Sequence, residues 1–313
     1  RDGYLVELWD AAGSPGAGRL ADRTVAPGAS GDPATFSAGG TNVVLYRGED
    51  GHVHSLYWRG TEAAGHDDLS GVAGAAPAVG DPSGYELNGG SHVFYRTADG
   101  HIEELYWVGV EPVGHGRITG YCDEPLAAGD PWGYPSRTGG GNVVLYRGVD
   151  GHVHSLYWSD GPTGHDNLSG YVGSPLAAGD PRGYHMTATN GDQVVYRGED
   201  GHIHEIAWLG AAPAVWTDLV AAVGSPKASA DPDGCYVPAT NTKHVVYVGA
   251  DGHIHDIAWV PNVSAPAWTD LTLAALAPPA AAVRPAVFAV PGETTTRVVY
   301  SGTDGHVHEI RWG

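Results

Sequence analysis

Cysteine, methionine and phenylalanine are nearly missing from this chain: two, one and three of 313 residues. Cys122 and Cys235 fall at non-equivalent points of the repeat described below. They read as free thiols, which excludes a disulfide framework and leaves the redox compartment open. Basic residues are also scarce. Lys plus Arg total 16 against 36 Asp plus Glu, a formal net charge of −20. Such a surface repels phosphate, so neither nucleic acid nor an anionic membrane face is an expected partner. No apolar run approaches the about 20 residues of a membrane-spanning helix, so membrane insertion is not expected. No signal peptide is visible. The chain opens at Asp2-Gly3-Tyr4-Leu5-Val6, already inside a repeat, so an upstream segment and a secreted or cell-surface location are the expectation. Gly-rich phosphate loops between strand and helix, zinc-type Cys spacing and a Gly-x-Ser-x-Gly elbow are all lacking, and no carboxylate pair is unique to one place. No catalytic residue is therefore assigned, and an enzyme is not expected.

What the chain has is glycine (48), proline (22), tyrosine (16) and tryptophan (10), distributed periodically. The cleanest repeat runs from Gln193 to Trp208, QVVYRGEDGHIHEIAW. Two β-prone runs flank Asp200-Gly201, a strong hairpin signal because glycine tolerates the positive φ of a tight turn. Asp-Gly recurs at Asp50, Asp99, Asp150, Asp200, Asp251 and Asp304, at steps of 49, 51, 50, 51 and 53 residues. A period of that length means a solenoid, propeller or array.

Each period predicts four short strands. The first follows Asp-Pro (Asp32, Asp81, Asp130, Asp180, Asp231, with Arg284 in the last copy). The second and third form the hairpin, and the fourth is of the Trp216-Thr217-Asp218-Leu219 type. A loop of the form Gly-Ser-Pro-Leu-Ala-Ala then leads on. Six such periods predict an all-β fold, a six-bladed β-propeller of four-stranded antiparallel blades, as one domain over residues 1–313. Leu20 to Thr24 is expected to complete the last blade and close the ring. Leu5 to Trp9 is a surplus third strand, and a seven-bladed ring with a partial blade is the alternative. Residues 42–58 and 142–158 differ only at Glu49/Val149, as after a recent duplication.

Three constellations are candidates for function. His-x-His follows five of the six Asp-Gly turns. Alternate strand residues share a face, so His202 with His204 and His253 with His255 are candidate ligands for a divalent metal. The competing reading is structural, with the first His bonded to the Asp of a neighbouring Asp-Pro loop. The second constellation is a pair at a spacing of twelve. Val43 and Val143 go with Ser55 and Ser155. His92, Gln193, His244 and Arg297 go with Glu104, Glu205, Asp256 and Glu309. This pairing predicts contact across the hairpin, either as a plain cross-strand pair or as a set of donors and acceptors for sugar hydroxyls. The third is aromatic. Trp58, Trp107, Trp158, Trp208, Trp259 and Trp312 end the third strand of each repeat and read as core between blades. Trp132 lies where other repeats have Ala34, Ser83, Arg182 and Asp233, and reads as an exposed stacking platform on a loop.

The run Arg297-Val298-Val299-Tyr300, followed by Asp304-Gly305-His306-Val307-His308-Glu309, resembles the repeat of the fungal fucose-binding lectins. The resemblance spans the hairpin in all six repeats, with the full Arg/Glu pair in one. It implies a six-bladed propeller with sugar sites between blades, and Arg297 and Glu309 holding sugar hydroxyls. The favoured function is thus a carbohydrate-binding, lectin-like protein whose partners are glycans or small saccharides. The alternatives are a metal-binding protein or metalloenzyme using the His-x-His motifs, and a protein-interaction platform.

Overall fold

In a computed structural model, residues 5–11, 14–20, 26–136, 141–159, 163–209, 212–290 and 292–313 are described. The chain divides into two compact units, Arg1–Pro135 and Ser136–Gly313. The division falls inside the first strand of the third repeat, Trp132–Ser136.

In the first unit, repeat one forms a four-stranded sheet of Ala34–Ala38, Thr41–Arg47, Val53–Trp58 and Gly65–Asp68, in that order. Repeat two does the same with Ser83–Leu87, Gly90–Arg96, Ile102–Val108 and Gly114–Arg117. All neighbouring strands are antiparallel. The surplus strand is a hairpin half: Val6–Ala11 pairs with Ser14–Arg19 in a two-stranded sheet. Leu5 and Leu20 close it by a backbone bond and are buried with Val44, Tyr46 and Leu56 of the first sheet. Of the segment expected to complete the last blade, residues 21–24 lie outside the described residues.

In the second unit, repeat three continues with Gly141–Arg147, Val153–Trp158 and Gly164–Asn167. Repeat four gives Arg182–Met186, Gly191–Arg197, Ile203–Leu209 and Val215–Asp218. Repeat five gives Asp233–Val237, Thr242–Val248, Ile254–Trp259 and Ala267–Asp270. Repeat six has three strands among the described residues, Ala286–Ala289, Thr296–Ser301 and Val307–Trp312. The second and third strands carry the core. Val194, Val195, Tyr196, Ile203 and Ile206 are fully buried, because both faces of each sheet are covered. Val195, Ile203 and Leu219 of the fourth sheet pack on Val245, Tyr247 and Ile257 of the fifth. Val246, Val248 and Ile254 pack on Val298, Tyr300 and Ile310 of the sixth.

The segment after the fourth strand was expected to be a loop. In repeats one, three, four and five it begins with one helical turn, Leu69–Ala73, Leu168–Val172, Leu219–Val223 and Leu271–Ala275. Asp68, Asn167, Asp218 and Asp270 cap these turns, each side chain accepting a backbone N–H three residues on. Repeat two has Arg117 at the capping position and makes no such helix.

Cys122 and Cys235 are free thiols, as expected. Burial pushes the Cys235 thiol well above its ordinary range.

Candidate functional site

The Asp-Gly turn organises its own surroundings. In repeat four the His202 N–H donates to Asp200 Oδ1 at 2.9 Å, and the His204 Nε2 lies 3.1 Å from the same oxygen. Equivalent contacts at 3.0 Å join His54, His154, His255 and His308 to Asp50, Asp150, Asp251 and Asp304. Gly198 precedes this turn, and a Cβ there would come within 2.6 Å of both His204 Nε2 and Asp200 Oδ1. The glycine leaves room for the Asp–His contact. In repeat two, where Glu103 replaces the second His, Thr97 replaces the glycine and donates to Asp99 at 2.6 Å.

The first His of each motif does not reach an Asp-Pro loop, which corrects that expectation. His52, His202 and His253 bond through Nδ1 to Asp68, Asp218 and Asp270 at 2.8, 2.8 and 2.6 Å. These are the helix-capping carboxylates, so one oxygen caps and the other holds the imidazole. The resulting bonds raise the pKa values of His52 and His253. Where the cap is Asn167, His152 turns to Ser169 Oγ at 2.9 Å. The Asp-Pro carboxylate is instead met by arginine: Asp231 by Arg197 and Arg284, both at 3.1 Å. Arg284 stands where the other repeats have the Asp of Asp-Pro, and Val248 stands where repeats one to four have the arginine that would meet that Asp.

Each candidate metal-binding imidazole therefore has an in-chain neighbour. The Trp216 indole N–H donates to His204 Nδ1 at 3.1 Å, which fixes the proton on Nε2, facing Asp200. His255 Nε2 faces Asp251, while its buried Nδ1 has no hydrogen-bond partner. Two groups bring potential ligand atoms within 4.8 Å of one another: Asp200, His204 and Asp218, and Asp251, His253 and Asp270. In repeats one and three a second histidine replaces the Trp. His54 Nδ1 lies 3.1 Å from His66 Nε2, and His154 Nδ1 lies 2.9 Å from His165 Nε2. Burial lowers the pKa of His154, and burial followed by the neighbouring His54 lowers that of His66.

Three of the four polar pairs touch directly. His92 Nδ1 is 2.6 Å from Glu104, His244 Nδ1 is 2.8 Å from Asp256, and Arg297 Nη1 donates to Glu309 at 3.4 Å. They are diagonal neighbours on one face; His92, for example, stands opposite Tyr106 and Glu104 opposite Phe94. Gln193 and Glu205 meet through a third residue from the next sheet. Lys243 Nζ donates to Gln193 Oε1 at 2.6 Å and to Glu205 Oε1 at 2.5 Å, and sits 4.3 Å from the Trp259 ring centre. Burial drives the Glu205 pKa up and the Lys243 pKa down, against their mutual attraction. The aromatic partner of His244 and Asp256 is Trp312, whose Nε1–H donates to Asp256 at 3.0 Å.

Reasoning from sequence missed Lys243, because pairs were sought within a hairpin and this contact joins two. The signal was available. Lys243 stands opposite Trp259, one residue before the aligned position, and Asp192 stands likewise opposite Trp208. The residue before the aligned position therefore faces the preceding sheet's pair.

Between the third and fourth sheets, within the second unit, lies a cleft of about 850 Å³. It is built on the Val143/Ser155 pair, where no large polar side chain fills the space. Tyr157, Trp158, Tyr171 and Trp208 give it aromatic walls, and Asn142, Ser155, Asp166 and Asp192 line it with polar groups. Tyr157 needs the glycine opposite it in the fourth strand, since a Cβ on Gly164 would come within 2.5 Å of the ring. Between the fourth and fifth sheets Lys243 occupies the corresponding space and the cavity shrinks to about 230 Å³. The strand-ending tryptophans, expected as core, are half-buried, and Trp158, Trp208 and Trp259 turn toward these cavities. Trp132, expected exposed on a loop, begins a strand and is half-buried, because the Asp-Pro segment runs directly into sheet structure.

No family model and no curated protein matches the chain. Solved structures do. The BP39L lectin from Burkholderia pseudomallei superposes with a TM-score of 0.68 at 18% identity, over 88% of this chain and 79% of that one. The fungal lectin from Aleuria aurantia, described as a six-bladed β-propeller with a fucose recognition mode, gives 0.58 at 13% identity over 90% of each chain. AofleA from Arthrobotrys oligospora gives 0.58 at 12%, over 91% and 83%. The fold is a six-bladed β-propeller resembling those of a fungal fucose-specific lectin and a bacterial lectin.

Proposed function

We propose that this protein is a carbohydrate-binding lectin and that the cleft between the third and fourth sheets holds a saccharide. The observation that carries the reading is the cleft itself. Its volume lies within the range of small-molecule sites, and its aromatic walls stand over a few polar groups. A sugar ring has an apolar C–H face that packs on an indole or phenol, and a rim of hydroxyls that needs donors and acceptors. The Ser155 hydroxyl, on a residue 4% exposed, lines the cleft and can donate to or accept from a ligand hydroxyl. The lectin identity of the structural neighbours supports the same class of ligand. Arg297 with Glu309, the pair that resembles the fungal motif, is the second candidate site, and its partly exposed guanidinium can reach a ligand. The remaining polar pairs, His92/Glu104, Gln193/Glu205 and His244/Asp256, are more deeply buried and already paired within the protein, so they contribute by shaping their clefts.

A glycan array followed by calorimetry tests the reading. Trp208→Ala is expected to weaken binding at the cleft at least tenfold, and Arg297→Ala to weaken fucoside binding at the other site. Absence of binding to every neutral and charged glycan would overturn it.

Metal binding at Asp200, His204 and Asp218 is the second reading, carried by the closeness of their ligand atoms. It requires His204 Nδ1 to release the Trp216 indole, or Nε2 to lose its proton. Equilibrium dialysis against Zn²⁺, with His204→Gln as control, decides it: uptake of one ion per cluster that depends on His204 supports metal binding.

A further inference from the structure

The clefts on either side of the fourth sheet differ in one respect that bears on the ligand. The position opposite the strand-ending tryptophan is a lysine in one and an aspartate in the other. Lys243 occupies the smaller cleft and is consumed by Gln193 and Glu205. Asp192 lies at the floor of the larger, 1% exposed, with Oδ2 accepting from Ser136 Oγ at 2.7 Å and Oδ1 facing His185 Nδ1 at 3.0 Å. Each carboxylate oxygen can accept a further hydrogen bond. Asp166, exposed and in register opposite Ser155, adds a second carboxylate to the wall. No lysine, arginine or histidine lines this cleft among the described residues.

We infer that the cleft between the third and fourth sheets selects a saccharide bearing a free amino group over neutral and anionic sugars. This rests on reading the cleft as a sugar site. An ammonium is a pure donor with three N–H bonds. It matches a lining whose charged groups are both acceptors, whose Ser155 hydroxyl can also accept, and whose four aromatic rings attract a cation to their faces. The formal charge of −20 favours approach of a cation from solution. A sugar carboxylate would meet two carboxylates with no counter-charge. An N-acetyl group would replace the cation with a neutral amide.

Calorimetry on the full-length Arg297→Ala chain, which silences the second candidate site, tests this at low ionic strength with three probes: methyl β-glucosaminide, its N-acetyl derivative and methyl α-fucoside. The amine is expected to bind about tenfold more tightly than the N-acetyl compound, the worth of one charge-assisted hydrogen bond. The advantage should shrink with added salt. Asp166→Asn, at an exposed position that leaves folding intact, should lower amine affinity several-fold and affect the N-acetyl compound much less. Equal or tighter binding of the N-acetyl compound or the fucoside overturns the charge preference, as does an equal effect of Asp166→Asn on all three. If Trp208→Ala still abolishes binding in that case, the sugar-site reading stands alone. If no probe binds, the charge preference falls, and the sugar-site reading falls with it only if the glycan array is also blank.

Discussion

At the scale of single residues, the repeat is held by carboxylates that each do two things. Asp218 caps a helical turn with one oxygen and binds His202 with the other. Asp200 takes a backbone N–H and the His204 imidazole. Because the Asp–His contact fills the space beside Gly198, Gly198→Ala should displace it and cost about 1–3 kcal/mol, read by urea unfolding. The histidines also titrate apart. His253, raised by its bond to Asp270, contributes stability that is complete below the ordinary histidine value and is lost as pH rises through its folded pKa. His154, lowered by burial, works the other way. Its contribution is complete above the ordinary value and is lost as pH falls through that value toward the lower folded pKa. Imidazole NMR should find His154 neutral at pH values where His253 is already protonated. The reverse order would contradict the burial argument.

At the scale of elements, the sheets are of two kinds. In repeats one to three, tyrosine at the third strand stands opposite glycine in the fourth: Tyr57 with Gly65, Tyr106 with Gly114, Tyr157 with Gly164. In repeats four and five these become Ala207 with Val215 and Ala258 with Ala267, and tryptophan replaces histidine at the next fourth-strand position. The two kinds therefore present different rings at the surface, Tyr106 and Tyr157 in one and Trp216 and Trp268 in the other. Removing the cation by Lys243→Ala leaves Glu205 buried beside Gln193 with no counter-charge. The expected loss is about 3–5 kcal/mol in unfolding free energy. Lys243→Ala combined with Glu205→Ala should recover part of it, and failure to recover would mean that lost packing, not stranded charge, sets the cost.

At the scale of the whole molecule, 36 acidic residues outnumber 16 basic ones, and the excess opposes compactness by self-repulsion. Thermal unfolding at pH 8 should therefore shift upward when NaCl is raised from a few millimolar to about the 0.15 M that shortens the Debye length to roughly 8 Å. A downward or null shift would mean that local ion pairs outweigh the global term.

Period, strand number and turn chemistry were legible from the amino-acid order, because each depends on neighbours a few residues apart: Asp-Gly at the turn, alternation along the strand, and the spacing of twelve that brings His92 to Glu104 and His244 to Asp256. The helical turn after the fourth strand was not, since five residues carry no period and its cap was already read as strand. Contacts between sheets were beyond reach in the same way. Lys243 meets Glu205, Trp312 meets Asp256, and Asp192 comes to floor a cleft built on Val143 and Ser155, because stacking joins residues about fifty positions apart. Amino-acid order alone dictates that like-built sheets form and that their hairpins pair internally. Which gap between sheets is filled by a lysine and which stays open follows from how the sheets stack. That outcome depends on the volume and charge of side chains contributed by two different repeats to one space, and no window along the chain contains both.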